Sequence, residues 1–242
     1  MTKCNYIREK MKTVVPIFIL LLLSCENNPP NKKKSPKKPP ATKAVKVINE
    51  KEKKETTKRF EPLNDQTAIP FFYEYEKKNP EKRVRIETQF GNIDIELDPK
   101  KPYHRANFIF LIKNNYFDGT LFHRVVPGFI IQGGASDNSK IMRKRRELGR
   151  YLIPVDAKPS DRHHRGVISM PSSEIDNPYK LASPYEFFIV QQQPGAYHLD
   201  GNYTPFGKVI HGMDVVDKIN QVTTDKREMP LINVSMKIRI LQ

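Results

Sequence analysis

Two stretches of alternating apolar and polar residues limit the fold more than any other feature of the sequence. They are 84–88 (VRIET) and 92–97 (NIDIEL), and they flank Phe90-Gly91. Such alternation is typical of strands with one buried face, and a glycine between two such strands favours a tight hairpin. The pattern therefore predicts that a β-barrel or a β-sandwich begins here.

Two other segments have the apolar spacing of helices. The first follows Pro102 and would end at Asn114-Asn115, and the second is 213–220 (MDVVDKIN), before a last predicted strand at 234–241. The apolar residues at helical spacing in the first segment are Ala106, Phe108, Ile109, Leu111 and Ile112. Periodicity alone therefore predicts a mainly β chain with two helices.

The amino-terminal residues have the layout of an export signal. Four Lys or Arg precede the apolar run 14–23, which is too short for a membrane-spanning helix of about 20 residues. The run leads into Leu22-Leu23-Ser24-Cys25, which resembles the lipobox of bacterial lipoproteins. This resemblance implies a signal peptide at 1–24 and a lipid on Cys25 that anchors the protein to a membrane of the cell envelope, facing the periplasm or the cell surface. An ordinary signal peptide with an incidental cysteine is the alternative.

Residues 25–59 are predicted to be a disordered Lys/Pro-rich tether. Positions 26–59 contain twelve Lys or Arg, four Glu and few large apolar residues, so most of the formal charge of +15 lies ahead of the folded part. A tether that binds anionic lipid or cell-wall polymer is the alternative. A short helical lead-in is predicted at 60–81 and the main domain at 82–242. Both cysteines precede this domain, so no disulfide is predicted in it.

The segment 116–134 (YFDGTLFHRVVPGFIIQGG) is the strongest functional signal, and it resembles the signature of cyclophilin-type peptidyl-prolyl isomerases. Further segments resemble the same family in the same order: 166–170 (GVISM), 183–190 (SPYEFFIV), 199–201 (LDG) and 206–209 (FGKV). The resemblance covers about residues 82–242. It implies an eight-stranded antiparallel cyclophilin-like β-barrel capped by two α-helices, with a shallow groove on its outer face.

The resemblance also implies which residues act on an X-Pro bond. Rotation about a peptide bond must overcome about 18–20 kcal/mol, because the twisted amide loses its resonance. Arg124 would donate to the nitrogen of the twisted amide, and Gln132 would hold the substrate backbone. A strand arginine bonded to a neighbouring carboxylate is the alternative for Arg124. The residues implied for substrate binding are Phe129, Ile130, Phe188 and Leu199 in the proline pocket, with Met170, Glu186, His198 and Tyr203 around it.

Several residues depart from the family pattern. Glu186 stands where many cyclophilins have Gln, and it could pair with Arg124 or with a cation in 143–146. His198 stands at the position of a Trp that contacts cyclosporin, so weak cyclosporin binding is expected. Pro171-Ser172 replaces the usual Ala-Asn. Since isomerisation transfers no proton, His123 is interpreted as structural, and Phe122 and Phe187 are assigned to the core.

The basic segment 139–146 (SKIMRKRR) is predicted to be a solvated loop, with contact to an acidic client or polymer as the alternative. It lacks the interspersed aromatic residues that stack on nucleic-acid bases, so no nucleic acid is expected. Adjacent residues of one strand point to opposite faces, so His163-His164 does not predict a metal site. The sequence therefore predicts a monomeric isomerase that needs no cofactor and assists the folding of exported proline-containing clients. The alternative is a proline-segment binding module or a chaperone on the same scaffold, with little or no turnover.

Overall fold

The computed structural model of the protein describes residues 61–172 and 177–242. Within these ranges it contains ten strands, four α-helices and one 3-10 helix. The strands are β1 Leu63–Asn64, β2 Arg83–Thr88, β3 Gly91–Leu97, β4 Leu121–Val126, β5 Ile130–Ala135, β6 Gly149–Arg150, β7 Val167–Ser169, β8 Phe187–Val190, β9 Pro205–His211 and β10 Met236–Ile240. The helices are α1 Ala68–Lys78, α2 Pro102–Lys113, α3 Ser139–Leu148 and α4 Met213–Asn220, and the 3-10 helix is Tyr197–Leu199.

Eight strands form one antiparallel sheet in the order β10-β2-β3-β9-β7-β8-β5-β4. The sheet curls so far that its two outer strands meet. The backbone N–H of Phe122 donates to the carbonyl of Val234 at 2.9 Å, and that of Gly119 donates to the carbonyl of Met236 at 3.0 Å. The predicted mainly β fold with an eight-stranded antiparallel sheet is confirmed.

The predicted hairpin is formed by β2 and β3. Ile86 lies opposite Ile93, and both are fully buried on the inner face of the sheet. Gly91 follows the turn with a φ of +127°, and a Cβ at this position would lie 2.9 Å from Cγ2 of Val215. Glycine is therefore required both by the backbone conformation and by the close approach of helix α4.

Helices α2 and α4 are the two helices predicted from spacing. In α2 almost the whole surface is buried, and Phe108 makes edge-on ring contacts with Phe187 and Phe206 of the sheet. In α4 the buried residues lie on one face and end at Asn220. The sheet and these helices enclose the main hydrophobic core.

Two further α-helices are present: α1 lies within the segment 60–81, for which a short helical lead-in was predicted, and α3 lies in a segment for which no helix was predicted. Helix α1 buries Phe72 against Phe110 of α2, with ring centroids 5.8 Å apart. Helix α3 occupies the basic segment for which a loop was predicted, and that prediction is wrong. Asn138 caps its first turn by accepting from the N–H of Lys140 at 2.9 Å, and the apolar Ile141 is buried beneath it. The high charge of the segment hid these helix signals.

The predicted signal peptide at 1–24, the lipidation site Cys25 and the tether at 25–59 lie outside the described residues. In the part of the chain that the structure describes, no helix combines the length and the apolar character that crossing a membrane requires.

Candidate active site

Four neighbouring strands bring the predicted catalytic and pocket residues into one row. Arg124 on β4 lies opposite Gln132 on β5, and Gln132 lies opposite Phe188 on β8. Phe188 in turn lies opposite Ser169 on β7. The signature segment and the FFIV strand are thus joined side by side, although they are far apart in the sequence.

A β-bulge on β4 sets the direction of the arginine. Phe122 pairs with Gly133 and Arg124 pairs with Gln132, so that His123 is the extra residue on β4. A bulge of this kind bends the strand and redirects the following side chain. Phe122 remains in the core, whereas Arg124 and His123 are both half-exposed. The bulge therefore allows two consecutive polar side chains to face the same outer surface.

The guanidinium of Arg124 is held by two side chains. Its Nε donates to Oε2 of Glu228 at 2.7 Å, its Nη2 lies 2.7 Å from the same oxygen, and its Nη1 donates to Oε1 of Gln132 at 3.3 Å. The Arg124 side chain is still 38% exposed. These contacts use three of the five guanidinium N–H groups. The arginine is thus oriented and still accessible to a ligand.

Glu228 was not predicted from the sequence. It lies in the loop between α4 and β10 with a φ of +63°, in the left-handed region that glutamate rarely adopts. Its carbonyl accepts from the N–H of Val125 at 2.8 Å, which ties the loop to β4. No sequence motif marks this residue, because its place beside Arg124 depends on the path of the loop. The carboxylate that pairs with Arg124 is therefore Glu228 and not Glu186.

Glu186 instead continues the polar row beyond Gln132. Its Oε2 accepts from Nε2 of Gln132 at 2.9 Å and lies 3.5 Å from Nε2 of His123. Burial by itself would raise the pKa of Glu186, but the contacts with His123 and Gln132 and the charge of Arg145 together lower it. The carboxylate is therefore ionised at neutral pH, and it fixes the orientation of the Gln132 amide.

An apolar cluster lies beside this polar row. Phe188 is its floor, the ring of Tyr203 meets Phe188 edge-on at 5.8 Å, and the ring of His198 lies 5.1 Å from that of Phe129. Met170 lies elsewhere, since it packs in the main core and is not a member of this cluster. The buried members of the apolar cluster are Ile130, Phe188, Val190 and Ala196, and its half-buried members are Val126, Phe129, Val167, Leu199 and Tyr203.

The floor of the apolar cluster is supported from below by a buried histidine. The His163 ring stacks on that of Phe188 at 6.3 Å, its Nδ1 lies 2.9 Å from Oδ1 of Asp200, and its Nε2 lies 3.0 Å from Oγ of Ser169. Burial lowers the pKa of His163 despite the opposing effect of Asp200. A Ser-His-Asp chain suggests a hydrolase, but Ser169 is fully buried and no carbonyl carbon can reach it. The chain of Ser169, His163 and Asp200 is therefore structural, and no feature of the sequence reveals it.

Helix α4 holds the turn that carries Phe129. The Asn220 side chain accepts from the N–H of Gly128 at 2.8 Å and donates to the carbonyls of Val126 at 2.9 Å and Ile130 at 3.2 Å. These three bonds fix the turn between β4 and β5. The pocket wall at Phe129 is therefore positioned by a buried side chain from outside the signature.

The arrangement places a fixed guanidinium in the same row of strands as the apolar cluster around Phe188. Donors that are held in place stabilise charge that develops only in a transition state, since no reorganisation is needed during the reaction. In residues 61–172 and 177–242 there is no group of three or more His, Cys, Asp or Glu side chains that could bind a metal ion. The described site offers a fixed hydrogen-bond donor beside a buried apolar cluster.

Comparison with known proteins identifies the family. The family profile "Cyclophilin type peptidyl-prolyl cis-trans isomerase/CLD" matches residues 83–239. A peptidyl-prolyl cis-trans isomerase of Acinetobacter baylyi is 35% identical over 165 residues, which are 64% of this chain and 85% of the relative. A peptidyl-prolyl cis-trans isomerase-like 2 protein of Rhizopus delemar is also 35% identical over 165 residues, but the match covers only 29% of that longer protein.

A solved structure agrees with these matches. The crystal structure of a Cryptosporidium parvum cyclophilin type peptidyl-prolyl cis-trans isomerase superposes with a TM-score of 0.55 and 28% identity, covering 67% of this chain and 98% of that one. The same Cryptosporidium protein has a structure determined in the presence of the dipeptide Ala-Pro. Together with the row of Arg124, Gln132 and Phe188, the comparisons show that this chain belongs to the family of cyclophilin-type peptidyl-prolyl cis-trans isomerases.

Proposed function

We propose that this chain isomerises X-Pro bonds in exported polypeptide clients and thereby assists their folding. The observation that carries the proposal is the row in which Arg124 and Gln132 adjoin the apolar cluster around Phe188. The Ala-Pro dipeptide used with the Cryptosporidium protein supports a proline-containing ligand.

The chemistry follows from the difference between the planar and the twisted amide. When the X-Pro bond is twisted, its nitrogen becomes pyramidal with a localised lone pair that can accept a hydrogen bond. Arg124 donates to this lone pair, which the planar ground state scarcely offers, so the bond stabilises the transition state selectively. The proline ring lies on Phe188 and Phe129, and its burial holds one side of the bond and removes water from it.

Gln132 positions the substrate within this scheme. Its Oε1 accepts from Arg124 and its Nε2 donates to Glu186, so that both ends of the amide are oriented by charged neighbours. The amide retains one further lone pair and one further N–H for the substrate backbone. Substitution of Arg124 should therefore affect the rate, and substitution of Gln132 should affect both the rate and the orientation of the arginine.

The test compares the full chain with Arg124→Ala and Arg124→Lys, in a protease-coupled assay or by exchange NMR on an Xaa-Pro tetrapeptide series. Arg83→Ala is the matched control, because Arg83 is an exposed arginine of β2 whose closest carboxylate contact, with Glu96, is 3.8 Å long. Loss of Arg124 should lower kcat/KM by about 10²- to 10³-fold, the effect of removing one preorganised donor. A well-folded chain that accelerates none of these peptides would contradict the catalytic proposal.

The second candidate is a binding module or chaperone with little turnover. It is favoured by Pro171 and Ser172, which differ from the family pattern, and by the pairing of Arg124 with Glu228. NMR on the same peptides separates the two proposals. A binding module would shift the resonances of the peptide without exchanging its cis and trans forms.

The cellular part of the proposal rests on the sequence of residues 1–59. We propose that Cys25 carries a lipid and that the domain acts as a monomer on a tether at a bacterial cell-envelope membrane. Incorporation of labelled fatty acid that is lost in Cys25→Ser tests the anchor, and sedimentation of the chain in detergent tests the oligomeric state. A wild-type chain that takes up no label would refute the lipidation proposal and leave the isomerase proposal intact.

A further inference from the structure

Helix α3 carries cations that no carboxylate of the described residues pairs with. Its ten residues include Lys140, Lys144 and three arginines, against the single Glu147. Elsewhere in the domain, Arg85, Arg105, Arg165 and Arg239 each lie within 3 Å of a carboxylate oxygen. No basic residue of α3 is in an ion pair within the described ranges. The domain thus neutralises many of its arginines but leaves α3 positive.

One side chain of α3 connects the helix to the polar end of the active-site row. The guanidinium carbon of Arg145 lies 4.8 Å above the ring of Tyr185, and Tyr185 immediately precedes Glu186. The Tyr185 hydroxyl donates to the carbonyl of Gly149 at 2.7 Å, which fixes the end of the helix against the sheet. Arg145 also acts electrostatically on the carboxylate of Glu186, so at least one positive charge of α3 lies near the polar end of the active-site row.

A cavity of about 790 Å³ opens under this end of the helix. Arg145, Arg146 and Arg150 line it, and Tyr151 and Tyr185 contribute aromatic surface. The one carboxylate in its lining is Asp65, which already accepts from the N–H of Leu152 at 2.9 Å. Arginine binds carboxylates through paired N–H groups in a fixed geometry. The lining thus fits the side chains of aspartate and glutamate.

We infer that α3 and this cavity form a second subsite, which binds acidic residues of the client whose proline occupies the apolar cluster. The inference rests on the proposed function and names the class of client. Extended chains advance about 3.3 Å per residue, so three flanking residues of a client extend about 10 Å along the surface from an X-Pro bond at Arg124. An acidic polypeptide is favoured over an anionic membrane, because Arg145 lies over Tyr185 and acts on the carboxylate of Glu186 at the polar end of the active-site row.

The experiment compares peptides with one Xaa-Pro core and three flanking residues, which are Asp, Asn or Lys on either side of the core. Exchange NMR on the full chain gives kcat/KM, and chemical-shift titration gives Kd. For the wild type, kcat/KM should be about 3- to 10-fold higher for the Asp peptide than for the Asn peptide when the residues lie on one particular side of the core, as expected for two or three exposed ion pairs. This ratio should fall as salt is raised from 20 to 200 mM.

Two charge-neutralised variants locate the effect. In Arg145→Gln/Arg146→Gln/Arg150→Gln, the ratio of kcat/KM for the Asp peptide to kcat/KM for the Asn peptide should fall towards one. In Arg143→Gln/Arg146→Gln, which changes two exposed positions, the same ratio should at least halve. The control Arg83→Gln/Lys100→Gln/Lys237→Gln removes as many cations as the triple variant, from exposed positions on other surfaces, and should keep the ratio. Using a ratio removes any general effect of a variant on folding or rate.

The outcomes are distinguishable from failure of the proposed function. If no peptide is isomerised, the proposed function fails. The ratio of the Kd values for the Asp and Asn peptides still shows whether α3 forms a subsite for acidic residues. Equal affinity for Asp and Asn peptides, or a preference that survives both α3 variants, would overturn the inference. Binding to phosphatidylglycerol vesicles that depends on α3, without preference for Asp peptides, would also overturn it and assign the helix to a membrane.

Discussion

Glu228 should control the activity of Arg124 while contributing little to stability. Without Glu228, the guanidinium keeps only the 3.3 Å contact to Gln132. An unrestrained arginine side chain recovers about 1.5–2 kcal/mol of conformational entropy, which must then be lost again in the transition state. At 1.36 kcal/mol per tenfold, Glu228→Ala should lower kcat/KM by about 10- to 30-fold. Glu228→Gln keeps one acceptor but loses the charge, so a decrease of about 3- to 5-fold is expected.

The expected effect on stability is much smaller. The two side chains are 38% and 40% exposed, and pairs with such exposure contribute at most about 1 kcal/mol. Urea unfolding should therefore show a loss below that value, with Glu87→Ala as the control for removing an exposed carboxylate. In the Arg124→Ala background, Glu228→Ala should change kcat/KM by less than about twofold, because it acts through the arginine. Equal losses in the two backgrounds would refute this reasoning.

Three other residues give independent predictions. Burial lowers the pKa of His104 to about 3, whereas the unfolded chain takes up this proton near pH 6.5, so stability is lost as the pH falls below 6.5. Urea unfolding should show that the free energy of unfolding falls by about 2 kcal/mol between pH 7 and pH 5, and His104→Leu should remove this decrease. The same pH dependence in His104→Leu as in the wild type would contradict the role given to His104. Glu186→Ala should lower kcat/KM about 3- to 10-fold by releasing Gln132, and Glu186→Gln should restore it, because the new amide oxygen still accepts. His198→Trp should increase cyclosporin binding in a thermal-shift titration, and strong stabilisation of the wild type by cyclosporin would show that the Trp is not needed.

The strands that carry the site could be predicted because their information is local. Alternation about Gly91 indicated the first hairpin, and the signature gave Arg124 and Gln132 in one continuous segment. The proline pocket needed the order of several segments, which the family resemblance supplied. Most of the site residues chosen in this way lie together in the structure, with Met170 as the one that lies in the main core.

The remaining features depend on contacts that no local pattern encodes. Glu228 reaches Arg124 because a loop residue adopts a positive φ, and His163 reaches Asp200 across 37 positions of the chain. Helix α3 is hard to predict for a different reason, since Asn138 is a helix-capping residue but the high charge of the segment favours a solvated loop. The carboxylates and buried histidines that tune the site are therefore properties of the tertiary structure.

The meeting of the two outer strands also sets the order in which the site can form. Arg124 lies on β4, at one end of the sheet order, and its partner Glu228 precedes β10, at the other end and 104 positions away along the chain. Contacts this distant in sequence have a high loop-closure cost and form late in folding. A growing chain that has been completed up to Asn220 contains the residues of the proline pocket and the side chain that fixes its Phe129 turn, but not the Glu228 that orients the guanidinium. Full isomerase activity therefore reports closure of the sheet, and in refolding it should appear no earlier than protection of the Phe122 amide, which donates to Val234 across the closure.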